Sequence, residues 1–542
     1  MRRAGKVVAV VVVVLLVVAV AVPLLVDADR LRPTAEAQLS QALARPVHLG
    51  KLGFSWMAGG VSAANISVGE DPAFGSAPFL TAKTLDVSVQ IWPLILHRQL
   101  EVNTLTVRDP QVRLVERNGK WNVDSLGQTS AGQGAAAKPA PAPATSPSGS
   151  EEVPALVLDK LSITGARITV TVQGATENYT NVSLEADHLR PNTKFPFKLA
   201  ATTPGNGQLQ LAGTVGPAKD LSALPAEAQL KLDHLDLGAS GYFGANSGLA
   251  GVAQTQAKLR SDGRTAHVEG TTTVEKLRLV KGASSAQRPV TLNYAVDYDL
   301  ASSAGRITRG DLTLGKSSVH LSGGFEARAN PAVVNATAST QGFAMTDMQD
   351  LLPAAGITLP GGASLQGGTA AATMTITGPV DRLIISGPVK LSNVIISGFD
   401  LGANLKTVAA LAGIKTGSTT ELQLLSTNLQ MTPEGTTFND INAVVAGMGN
   451  LTGTGTIAAN NALNFRMVAK LSKGSGLLGG LLQQTGVAQL SEVPFRIEGT
   501  TANPKFVPDV GGMLHTKSSG SAPAAPSKNP ASGLMNLFNK KK

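Results

Sequence analysis

Val290-Thr291-Leu292-Asn293-Tyr294-Ala295-Val296-Asp297-Tyr298-Asp299-Leu300 decides how this chain is read. Val290, Leu292, Tyr294, Val296, Tyr298 and Leu300 alternate with Thr291, Asn293, Ala295, Asp297 and Asp299. Successive side chains of a strand point to opposite faces, so a period of two predicts a strand with one apolar and one polar side.

The pattern repeats outward. Ile168, Val170 and Val172 alternate with Arg167, Thr169, Thr171 and Gln173, and Leu463, Phe465 and Met467 with Asn464 and Arg466. Nearer the start, Val112 and Leu114 oppose Gln111 and Arg113, and Asn118-Gly119 predicts a hairpin between Val112–Glu116 and Trp121–Val123. Asp71-Pro72 and Asp109-Pro110 mark turns or strand ends. A recurrence of strand, Gly, then Pro stands at Leu211–Pro217, Ile376–Pro379 and Ile497–Pro504, too irregularly spaced for a fixed-period solenoid. Short helices are predicted at Met345–Leu352, Leu405–Leu411 and Leu477–Gln484. Many strands, each with one apolar face, imply antiparallel sheet covered on one side. That side either packs on a second sheet as a sandwich or curls on itself, leaving an apolar trough.

Composition agrees. The 542 residues hold 58 Gly, with 4% aromatic and 15% charged residues, which suits short strands joined by turns. Cys is 0, excluding disulfides, thiol catalysis and Cys zinc sites. Most of the +9 net charge sits at the ends: Arg2, Arg3 and Lys6 before the body, Lys517, Lys528, Lys540, Lys541 and Lys542 after it. A near-neutral body offers nucleic acid no phosphate-tracking patch.

Val7 to Val26 is an uncharged run that includes Leu15, Leu16, Leu24 and Leu25. About twenty apolar residues cross a bilayer core of roughly 30 Å. Arg2, Arg3 and Lys6 precede it, so the N-terminus is expected in the cytoplasm and the body outside. The run reads as a retained anchor; the other reading is a signal peptide cleaved near Ala19-Val20-Ala21. Asp29 to Arg45 then predicts an amphipathic helix, with Leu31, Ala35, Leu39 and Leu43 on one face. The chain thus divides into 1–26, basic end and anchor; 27–126, helix then β; 127–152, a Gly/Ala/Pro/Ser linker; 153–514, an elongated β region; and 515–542, a low-complexity basic tail.

Catalytic motifs fail on context. Gly310 to Ser317 matches G-x-x-x-x-G-K-S, but its middle alternates as a strand and another strand follows, where a phosphate loop opens a helix. Gly474 to Gly479 matches G-x-G-x-x-G without a surrounding β-α-β pattern. The seven histidines show no metal-ligand spacing, and no nucleophile elbow is present. The reading is a non-enzymatic protein without cofactor or metal.

Several ordered elements carry a resemblance: Leu31-Arg32-Pro33 with Glu36; Arg45-Pro46-Val47-His48-Leu49-Gly50-Lys51-Leu52; Asp71-Pro72-Ala73-Phe74; Ile91-Trp92-Pro93-Leu94; Asp109-Pro110-Gln111-Val112; and Asn118-Gly119-Lys120-Trp121-Asn122. In this order they resemble the N-terminal domain of the AsmA family of bacterial envelope proteins, with Ala44 where Gly is usual. Val493 to Asp509 resembles that family's C-terminal signature.

The resemblance implies an inner-membrane helix followed by an elongated, curved antiparallel β-sheet with a groove and a few short helices. It implies membership of the bridge-like lipid-transfer group, with a periplasmic body, phospholipid as ligand, and outer-membrane proteins or other envelope factors as partners. The clearest strand nominates Val290, Leu292, Tyr294, Val296 and Tyr298 as groove lining; sandwich core is the competing reading for the same residues. An assembly factor that docks outer-membrane proteins through sheet edges is the alternative function. About 25–30 strands at ~4.8 Å each set an upper length near about 120–145 Å.

Overall fold

The structure, a computed structural model, describes residues 29, 32–55, 60–89, 102–127, 158–172, 174–190, 192–217, 224–242, 248–328, 331–401, 418–471 and 492–509. Val7 to Val26, the linker, Ile91 to Leu94, the G-x-G-x-x-G match, the helices predicted at Leu405–Leu411 and Leu477–Gln484, and the tail lie outside them. Among the described residues no helix is long and apolar enough to cross a membrane.

Helix α1 (Arg32–Leu43) leads into β1 (Val47–His48), β2 (Leu52–Ser55), β3 (Gly60–Val68), β4 (Leu80–Val89), β5 (Val102–Arg108), β6 (Gln111–Arg117) and β7 (Lys120–Trp121). The second stretch runs β8 (Leu158–Val172), β9 (Ala175–Leu189), β10 (Phe195–Thr202), β11 (Gln208–Val215), β12 (Ala226–Asp236), β13 (Ala250–Ser261), β14 (Thr265–Arg278), β15 (Val290–Asp299), β16 (Ala304–Leu314), β17 (Ser317–Glu326) and β18 (Val333–Ala344). Helix α2 (Met345–Leu351) interrupts it. The third comprises β19 (Ser364–Gln366), β20 (Thr369–Pro379), β21 (Ile384–Ser397), β22 (Thr419–Thr432), β23 (Gly435–Val445), β24 (Gly449–Ala458), β25 (Leu463–Leu471), β26 (Glu492–Thr500) and β27 (Asn503–Pro508).

All 27 strands belong to one sheet, so among the described residues there is no second sheet to make a sandwich. From β8 onward it is an antiparallel meander in which neighbours in sequence are neighbours in space; β19 and β20 share one position beside β21. The N-terminal strands join this meander through β8. Its first half pairs parallel with β5 and its second half parallel with β6. Asp109-Pro110 is therefore a break within one line of strand and not a reversal. Opposite it, Gly165 has φ +67°, and a Cβ there would stand 2.4 Å from the Asp109 Oδ1.

Other local readings hold with small changes. Asn118 and Gly119 have φ 53° and 75°, the left-handed pair a tight hairpin turn requires. After Trp121 the chain makes a 3-10 turn (Asn122–Ser125), which replaces the strand expected through Val123. In α1, Ala35, Leu39 and Leu43 are buried, as their four-residue spacing predicts.

Curvature follows from what two short segments touch. Residues from β14 to β22, including Leu277, Val290, Leu314, Phe343, Val394 and Leu422, gather in one cluster with Met345 and Met348 of α2. Seven strand intervals span about 33 Å if flat, whereas seven helical residues span about 10 Å. The sheet therefore bends around α2 with its apolar face inward. Phe399, just after β21, likewise lies 6.4 Å from Phe506 of β27, six intervals away, so the C-terminal strands curl round their own core. Bulges at Asn181, Lys276 and Asp440, all at positive φ, supply local bend and twist.

Candidate functional site

Cross-strand pairing lets one face be followed through the whole sheet. Directly opposed residues form the row Ala63, Leu85, Val107, Ile163, Leu184, Leu199, Leu211, Leu230, Ala257, Gly270, Tyr294, Gly310, one per position from β3 to β16. All are apolar or glycine apart from the Tyr294 hydroxyl. The adjacent row, one residue away along each strand, points to the opposite face. It reads Ser62, Asp86, Thr106, Ser162, Glu185, Lys198, Ala212, Gln229, Lys258, Glu269, Ala295, Arg309. A second row, apolar or glycine apart from Thr436, continues from Ile307 through Gly323, Ala336, Ile376, Ile385, Met431, Thr436 and Ile457 to Leu463.

Cover is local. At the N-terminal end α1 packs on Val61, Ala63, Ile66 and Val68. At one edge, α2 and the turn after it cover the strand ends from β14 to β22. Between them Leu199, Leu211 and Leu230 are half-buried, with no described helix or second sheet packed on them. The uncovered face crosses β10–β13 and the far halves of β14–β18.

The five nominated residues divide accordingly. Val290 is 6% exposed in the cluster under α2 and is core. Leu292, Tyr294, Val296 and Tyr298 are half-buried on the apolar face; their partners on β14 are Thr272, Gly270, Val268 and Ala266. Glycines let aromatic rings lie flat on this face. A Cβ at Gly305 would come within 2.2 Å of the Phe325 ring, and one at Gly455 within 2.1 Å of Phe465.

The failed motifs have structural roles. Gly310 to Ser317 is the β16–β17 hairpin, and the Asp347 carboxylate accepts from the Lys316 N–H at 3.0 Å and the Ser317 hydroxyl at 2.7 Å. His267 pairs with Asp297 and His320 with Asp311 as isolated couples on the polar face, and no metal-ligating cluster occurs among the described residues. The membrane-anchor residues Val7, Leu15, Leu16, Leu24, Leu25 and Val26, and the topology residues Arg2, Arg3 and Lys6, lie outside the described residues.

Three of the ordered N-terminal elements, through Arg45, Asp71 and Asn122, converge on one knot of hydrogen bonds. The Arg45 guanidinium donates to the Glu70 carboxylate (2.8 Å), the Asn122 carbonyl and the Ser125 hydroxyl (2.8 Å), and sits 5.5 Å over the Phe79 ring. Asn122 donates to Glu70 (2.7 Å), and Ser125 donates to Asp71 (2.6 Å). That bond, with one from the Ala73 N–H and the nearby Arg45 charge, holds the Asp71 carboxyl below its ordinary range against the effect of burial. Glu36 and Ser40 on α1 accept the Leu49 and Val47 N–H groups. The residues of the resemblance thus fasten α1 over the start of the apolar face.

No curated protein and no solved structure matches the chain. A family model, that of the AsmA family, matches residues 1–280 and so ends before the C-terminal segment that also resembles it. With more than half of its length matched by that model, the chain belongs to the envelope-associated AsmA family.

Proposed function

We propose that this protein binds phospholipid by its acyl chains along the apolar face and passes it between membranes in outer-membrane biogenesis. The supporting observation is the uncovered apolar row through Leu199, Leu211, Leu230 and Tyr294, backed by a polar row on the other side. At about 0.8 kcal/mol per buried CH2, a chain of about sixteen carbons gains on the order of 10 kcal/mol from apolar cover. It already has that cover in a bilayer. A continuous surface of apolar side chains and glycine therefore keeps transfer nearly level in free energy, while head groups remain in water. Among the described residues the 27 strands occupy 23 positions, because β1 with β2, β4 with β7, β5 with β6 and β19 with β20 share one each. This gives a ladder of about 105 Å, shorter than the sequence-based upper limit.

In this reading Val7 to Val26 holds the chain in the inner membrane with Arg2, Arg3 and Lys6 inside, the body is periplasmic, and no reaction is catalysed. A second reading rests on β27, whose outer edge has no strand partner among the described residues: an assembly factor would take an outer-membrane protein's strand there. Native mass spectrometry with lipid extraction, on residues 27–542 purified without detergent, tests between them. Several phospholipids per chain are expected; a lipid-free, monodisperse body overturns the lipid reading in favour of strand addition.

A further inference from the structure

Cross-strand pairing from β8 to β27 puts one charged side chain, Glu177, on the apolar face among the described residues. Glu177 opposes Val170 and lies two residues before Tyr179, which packs against Ala166, Val182 and Ala201. Tyr179 donates to the Glu177 carboxylate at 3.3 Å, and its hydroxyl is 3.1 Å from that of Tyr242. Tyr242 belongs to the turn after β12, three positions away. The turn is built to deliver it: Ser240 is 1% exposed, donates to the Leu237 carbonyl at 2.8 Å and accepts the Tyr242 N–H at 3.3 Å. Gly205, with φ +74°, lets the neighbouring turn pass 2.4 Å, measured from an ideal Cβ, from the Asp236 carbonyl.

No lysine, arginine or histidine pairs with Glu177 among the described residues. Tyr242 remains 43% exposed, at the rim where the face meets water. A carboxylate flanked by two phenol rings and backed by an apolar face, with no cation beside it among the described residues, repels anions. It suits a cation tethered to hydrocarbon, because aromatic faces attract ammonium groups and the carboxylate neutralises them. Burial above all, with the bond to Tyr242 and the nearby Glu177 charge, keeps the Tyr179 phenol protonated well beyond its ordinary range, so it remains a donor to Glu177.

We propose that Glu177, Tyr179 and Tyr242 form a head-group site for the ammonium of an aminophospholipid whose chains lie on the apolar face. This rests on the lipid-binding reading above and gives it a head-group preference. The site sits at the strand ends of β9 and β12, so a head group held there projects past those ends while the chains run toward Leu209 and Leu230.

The test uses the full-length chain in micelles doped with phosphatidylethanolamine and phosphatidylglycerol at equal mole fraction, read by native mass spectrometry. The wild type is expected to retain the ethanolamine lipid about fivefold over the glycerol lipid. Glu177→Gln is expected to bring the ratio near one with the total lipid per chain unchanged. Equal retention by the wild type, or a preference that survives Glu177→Gln, overturns the head-group site and leaves the apolar face as a lipid surface. A wild type that retains neither lipid overturns both.

Discussion

Tyr298 and Phe325 stack with ring centroids 6.2 Å apart and planes at 26°, across Gly305 on the strand between them. Phe438 and Phe465 meet across Gly455 with centroids 5.5 Å apart and planes tilted by 42°. In both places a missing Cβ lets two rings meet on the apolar face. A valine at Gly305 forces the Phe325 ring aside. Gly305→Val is therefore expected to lower stability by about 1 kcal/mol, the worth of an aromatic pair, seen as a lower urea midpoint. Gly342, where a Cβ would meet nothing within 4 Å, is the control: Gly342→Ala should stay within about 0.5 kcal/mol.

Arg45 and Glu70 are an ion pair with side chains 3% and 2% exposed. Removing one partner strands the other's charge in the knot. Arg45→Met is expected to destabilise the N-terminal region by about 3–5 kcal/mol in urea unfolding followed by tryptophan fluorescence. Adding Glu70→Gln should recover part of that loss, since the stranded charge is then gone. A double variant as unstable as the sum of the singles would count against this account.

Asp347 ties α2 to the β16–β17 hairpin. Burial opposes its ionisation, but the Ser317 hydroxyl, the Lys316 N–H and the Arg288 charge outweigh it and hold the carboxyl below its ordinary range. The folded value lies below the unfolded one, so this stabilisation is complete above the ordinary carboxylate pKa of about 4 and fades as pH falls through the folded value. Asp347→Asn should melt at a lower temperature than the wild type at pH 6. The gap should narrow toward pH 3.

Position on the face can be read by cross-linking. A photoreactive phenylalanine analogue at Val296 is expected to label phospholipid in intact cells. The same group at Asn293, three residues away on the polar face, should not. At Val290, under α2, labelling should be weak although the residue belongs to the same alternating run. Equal labelling at Val296 and Asn293 would mean that the two faces do not differ in lipid contact.

Strand content and the division into an apolar and a polar side were legible in the sequence, because a period of two is local. So were α1, the Asn118-Gly119 hairpin and the non-helical context of Gly310 to Ser317. Bulges limited this reading. Strict alternation from Ile163 places Ala166 and Ile168 on the polar side; the bulge at Gly165 returns them to the apolar face. The ordered N-terminal motifs were visible, but their convergence was not: Arg45 bonds to Ser125, 80 residues on. The Glu177–Tyr242 cluster escaped for the same reason, since Tyr179 and Tyr242 are 63 residues apart.

By itself, then, the sequence determined what each strand carries, because side-chain direction follows from backbone geometry within a few residues. Tertiary structure decided that all the strands share one sheet. It also decided that β8 splices the N-terminal strands onto the meander, and that α2 covers Val290 while leaving Tyr298 half-buried. Those outcomes depend on register, bulges and contacts between residues far apart in the chain, and pairing is fixed only when the strands meet.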